Sequence, residues 1–179
     1  MLGAPIETIT GRLGVGAIAL LALFLSADGM QIGVFHIVES YGGSVTFGLV
    51  AALPTAVVTY VLGVFCVGTA DLLLTRFEAF RDPGPEEILE LSKDGGDLLK
   101  QQYLESLRNS DLLKGSSISF LLLAVGTVLD APNMRGYESI VVVATVAAVG
   151  LSGMSLVFAC RAVARAKEIA NVLVSSTKP

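Results

Sequence analysis

The chain has 179 residues, 53% of them hydrophobic and only 16% charged, with a mean hydropathy of +0.73 and a formal net charge of −4. Soluble domains carry about 25% charged residues, so this composition excludes an ordinary soluble core. The negative balance argues against direct nucleic-acid binding.

Residues 1–11 are short of pattern, with Pro5 and Glu7 among them. Arg12 then precedes an apolar run over 13–27. As a helix that run covers about 22 Å, short of the ~30 Å hydrocarbon core. The first helix is therefore expected to continue past Asp28, to about Val38, with Asp28, Gln31 and His36 near its outer end. The run also has the form of a signal peptide. A cut after Ala27 would put Leu25 where a small residue is required, so the segment is read as retained.

Residues 39–43 (Glu39, Ser40, Tyr41, Gly42, Gly43) read as a tight polar turn. Residues 44–70 follow without a formal charge and form the strongest span. Pro54 lies inside it, which membrane helices tolerate as a kink. The span exceeds crossing length, so it is expected to project inward. One of its faces is small or weakly polar: Gly48, Ala52, Thr55, Thr59, Gly63, Cys66 and Ala70. Such a face suits close helix packing, and less readily a pore lining.

Residues 76–114 hold six of the twelve Lys/Arg and nine of the sixteen Asp/Glu. Pro83-Gly84-Pro85 breaks any helix entering this insert. Pro85 with Glu86 and Glu87 starts a short helix over 86–93. Gly95-Gly96 ends it, and Asp97 is the expected N-cap of a helix over 98–113 that feeds the third span. Leu99, Tyr103 and Leu107 recur at amphipathic spacing. The third span, 118–129, reaches crossing length only by borrowing its neighbours, with Lys114 expected to snorkel to the interface. Asp71, at the end of the second span, is expected to pair with a basic residue there.

After a turn at 130–136 the fourth span runs over 140–160, and one helix is expected to reach residue 173. Ala144, Ala148, Ser152, Ser155, Ala159, Ala162, Ala166 and Ala170 stripe it. That stripe is expected to meet the second helix, or copies of itself in neighbouring subunits. Cys66 and Cys160 lie in apolar contexts near inner ends and read as packing residues.

The fold class is therefore an all-α membrane protein of four transmembrane helices with a helical cytoplasmic hairpin between the second and third. Its parts are a first hairpin (1–75), a cytoplasmic insert (76–114), a second hairpin (115–160) and a cytoplasmic C-terminal helix and tail (161–179). With both termini inside, eleven of the twelve basic residues lie inside, leaving only Arg135 outside. This satisfies the positive-inside rule and indicates a multi-pass inner-membrane protein.

Chemistry is sparse. His36, with Ser40 on its helical face, is the only base near a hydroxyl, and no catalytic motif surrounds it. One histidine and no ligand-spaced cysteines predict no metal and no cofactor. The chain reads as non-enzymatic.

The candidate partner surface is Lys100, Tyr103, Glu105, Arg108, Arg161, Arg165 and Lys167. The candidate packing or pore face is Thr55, Thr59, Gly63, Ser152 and Ser155. Asp28, Glu39, Asp130 and Glu138 are outer acids that a ring of subunits would gather into a cation-attracting vestibule. The leading expectation is a homo-oligomeric sensor or anchor, held in the lipid bilayer, whose cytoplasmic helices recruit or regulate a soluble partner. An oligomeric channel is the alternative, and a membrane enzyme using His36 the third. The layout is similar to that of small multi-span proteins that bacterial defence and signalling operons pair with a soluble partner.

Overall fold

The computed structural model describes residues 3–30, 45–81 and 97–176, with side chains over 8–30, 51–81 and 98–172. The expected turn at 39–43, with His36, Glu39 and Ser40, and the expected helix at 86–93 lie outside the described residues. Among the described residues all regular structure is helical, with no strand. The elements are α1 (Gly3–Gly29), α2 (Val45–Leu74), a 3-10 turn (Glu78–Phe80), α3 (Asp97–Asp130) and α4 (Glu138–Ser176).

All four α-helices are long and apolar enough to cross a membrane, the make-up of a multi-pass membrane protein. Their outward faces are apolar too. Leu53, Val61 and Phe65 on α2, and Val142, Val146 and Val157 on α4, are exposed. In water such surface would drive association. Against lipid it carries no penalty, so small residues and hydrogen bonds must hold the helices together.

The first helix gains its length at the opposite end from the one expected. It starts at Gly3 and stops at Gly29, rather than starting near Arg12 and reaching Val38. Residues 3–11 supply the missing turns although Gly3, Thr8, Thr10 and Gly11 are poor helix formers, and at the other end Gly29 meets α3. A Cβ on Gly29 would strike the Leu129 carbonyl.

α3 is the hub. It packs on α1, α2 and α4, and α4 is its most extensive partner. The α2 stripe meets α1, and the α4 stripe meets α3. The expected contact between the second and fourth helices is not among the substantial ones. The reason is position: α3 stands between them.

The α1–α2 contact is a crossing of small residues. A Cβ on Gly16 would strike the Thr59 carbonyl, and one on Gly63 the Arg12 carbonyl. Each contact pair spans four residues, the small-xxx-small spacing that lets backbones touch. Val15, Ala19 and Cys66 fill the space beside it. Arg12 Nη1 also donates to Tyr60 Oη at 3.4 Å. α2 continues unbroken through Pro54.

The α3–α4 seam repeats every seven residues. Tyr103, Ser110, Ser117 and Ala124 are buried on α3; Val141, Ala148 and Ser155, with Ser152, Ala159 and Ala166, are buried on α4. A seven-residue repeat keeps two helices facing one another along their length. Two hydroxyl pairs bridge the seam: Ser117 with Ser152 at 2.9 Å and Thr127 with Thr145 at 3.0 Å. Other hydroxyls bond their own helix, as Ser116 does to the Leu112 carbonyl at 2.8 Å. Ser117→Ala is expected to lower stability in detergent by only about 0.6 kcal/mol, the average for such bonds in membranes. Ser116→Ala, which breaks no bridge, should leave the unfolding midpoint unchanged. The turn from α3 to α4 closes through Gly136 at φ 92°, a left-handed conformation that glycine adopts without strain.

Candidate functional site

The charged side chains mark two levels of the bundle. Lys114 and Asp130 on α3 are about 24 Å apart along the helix by the 1.5 Å rise per residue. Between them α3 carries no charged residue. Beyond Lys114, α3 continues back to Asp97, and α4 continues past Cys160 to Ser176. These extensions stay packed. Tyr103, Ala166 and Ile169 form a core, with Leu99, Leu107 and Ala170 against it. The 3-10 turn after α2 lies against the α4 extension, and Lys167 Nζ donates to the Glu78 carbonyl at 3.2 Å.

This helix pair carries the residues nominated as a partner surface. Glu105, Arg161 and Arg165 are exposed; Lys100, Arg108 and Lys167 are half-buried. The Arg161 guanidinium lies 5.9 Å from the Phe158 ring centroid, a cation–π distance. Tyr103 is a correction. It is 2% exposed and belongs to the core between the helices, because its ring completes the Leu99–Tyr103–Leu107 face. Exposed Leu98 and Leu104 on α3, and Val172 on α4, stand among the charges instead.

The packing or pore candidates divide. Thr59, Gly63, Ser152 and Ser155 are buried in helix contacts within this chain, whereas Thr55 is exposed. Four of the five are therefore occupied by neighbouring helices.

Lys114 departs from the snorkelling expected of it. Its side chain is 0% exposed, with Nζ 3.6 Å from Asp71 Oδ1 on α2 and 3.6 Å from Asp111 Oδ1 on its own helix. The carboxylates are half-exposed, at 52% and 44%. Two acids on the protein side outbid the route to the interface, and the cation becomes a tie between α2 and α3. Beside it, Ser110 Oγ is fully buried and has no hydrogen-bond partner.

Of the outer acids, Asp28 is half-buried and Glu138 exposed, while Glu39 lies outside the described residues. Asp130 is a second correction. It is 2% exposed rather than open at the surface as a vestibule acid would be. Asn133 Nδ2 donates to Asp130 Oδ1 at 3.1 Å and to the Asp28 carbonyl at 2.8 Å, drawing the ends of α1 and α3 together. A signal for this was present: an acid and an amide three residues apart at a helix end form a local hydrogen-bonded turn.

Among the described residues no three His, Cys, Asp or Glu side chains come together as a metal site. Cys66 is buried and Cys160 half-buried, and both are free thiols. No protein-family model matches the chain, and no curated protein or solved structure shows significant similarity to it.

Proposed function

We propose that this chain is a non-enzymatic, homo-oligomeric inner-membrane protein that presents a rigid helix pair to a soluble partner. The observation that carries the reading is the continued packing of α3 and α4 beyond their apolar segments, around Tyr103, Ala166 and Ile169. A helix pair that served only to cross the bilayer would need no core there. Exposed on the pair are Leu98, Leu104, Glu105, Arg161 and Arg165. Exposed apolar side chains together with charged ones suit a protein interface. With N- and C-termini inside, the pair stands in the cytoplasm, which the placement of eleven of twelve basic residues supports.

The test leaves the core alone. Changing Leu104, Glu105 and Arg165 together to serine alters only exposed positions, so insertion and thermal midpoint should stay near those of the wild type. Crosslinking followed by affinity purification from the native membrane should recover a soluble protein with the wild type and lose it with the triple variant. Recovery of the same proteins by both would end the proposal.

A further inference from the structure

Asp130 stands against three physical preferences at once. It is 2% exposed. It is the last residue of α3, where the helix dipole disfavours negative charge. Among the described residues no basic side chain pairs with it, and Asn133 is its side-chain partner, through Oδ1 alone. No hydrogen bond from a described residue reaches the other carboxylate oxygen, and it is not among the sealed, unpartnered buried atoms, so it stays open to a ligand. A carboxylate in so apolar a setting favours a cation beside it.

The space around it says what kind of cation. Asp130 lines a groove of about 320 Å³ between α1, α3 and α4. Leu21, Leu25, Leu123 and Ala144 line it as well, with the Thr127 hydroxyl as a further polar group. That hydroxyl is already engaged with Thr145 and the Ala124 carbonyl. A hard metal ion needs six or more oxygens, and this groove offers too few. A neutral acyl chain would cover the leucines but leave the carboxylate unanswered. An organic cation with one positive charge on an apolar body satisfies both.

We propose that this groove binds a monovalent amphiphilic organic cation, with Asp130 as its counter-ion. The site lies at the opposite end of α3 from the helix pair assigned to a partner, and it does not depend on that assignment.

The experiment uses the purified full chain in uncharged maltoside micelles, titrated calorimetrically with tetraphenylphosphonium. Triphenylphosphine oxide, of related shape and no charge, serves as comparison. Saturable binding of the cation is expected, weakened on the order of tenfold or more by Asp130→Asn, as for loss of a buried charge partner. Ala144→Phe fills the groove, keeps the carboxylate and should weaken binding as well. The neutral compound should bind more weakly and be insensitive to Asp130→Asn. Thermal unfolding checks that each variant is folded; if Asp130→Asn is not, Ala144→Phe and the neutral compound decide. Three results would overturn the proposal: no saturable binding by folded wild type, undiminished binding by the folded variants, or equal binding of the neutral compound.

Discussion

Gly63→Ile is expected to unfold well below the wild type in detergent, whereas Gly68→Ile is expected to unfold with it. Both glycines lie on α2, five residues apart. At Gly63 a Cβ meets the Arg12 carbonyl. Backbone cannot move aside as the end of a flexible side chain can, so the two helices must separate. Overpacking a tight contact costs about 1–3 kcal/mol, and a clash with backbone belongs at the upper end, about 3 kcal/mol. At Gly68 a Cβ meets nothing within 4 Å. There the change only replaces glycine by a better helix former, which is neutral or slightly favourable. Thermal unfolding followed by circular dichroism separates the two. Equal losses at both positions would refute the α1–α2 crossing as drawn.

The second large effect is an asymmetry at the Lys114 tie. The double change Asp71→Asn with Asp111→Asn is expected to cost about 3 kcal/mol, because it strips both carboxylates from a fully buried ammonium. That figure is the low end for a broken buried pair, since both carboxylates are half-exposed and partly screened by water. Lys114→Met is expected to cost much less. It removes the buried charge, keeps a similar volume, and leaves two acids that water can already reach. Replacing a buried cation by an apolar side chain is often neutral or better. Equilibrium unfolding of the three proteins measures the difference. If Lys114→Met proves the more damaging, the tie between α2 and α3 outweighs the desolvation of its cation, and this ordering is wrong.

Much of the architecture follows from hydropathy and charge alone. Bilayer thickness sets a minimum helix length, and any run that meets it without charge announces itself, as residues 44–70 do. The helix expected over 98–113 does run on into the third span, and the one expected over 140–173 is continuous, since no Pro or Gly-Gly interrupts either stretch. The ends of α1 were harder. Propensity over 3–11 is low, and a length argument says only that turns are missing, not at which end they are added.

The site was less legible than the fold, and for a different reason. Tyr103 shares amphipathic spacing with Leu99 and Leu107, but it carries a hydroxyl and sits in the most polar run of the chain, so composition places it at the surface. Its burial depends on Ala166 and Ile169, sixty-odd residues away, arriving opposite it. Lys114 and Asp130 are similar cases. Local sequence marks both as interfacial; Lys114 is held by Asp111 on its own helix and Asp71 delivered by α2, and Asp130 by the local Asn133 amide that also reaches the Asp28 carbonyl of α1.

Local sequence alone dictates that four helices form and which stretches are apolar. These depend on local periodicity and on transfer free energies that add along the chain. Which small stripe meets which helix is settled only by packing. Gly, Ala, Ser and Thr stripes are chemically alike and fit many partners. The choice of α3 as the hub came from backbone that closes on Gly29 and Gly126 where α1 meets α3, and from hydroxyls that pair across the α3–α4 seam. Those are relations between distant residues, and they exist only once the helices have met.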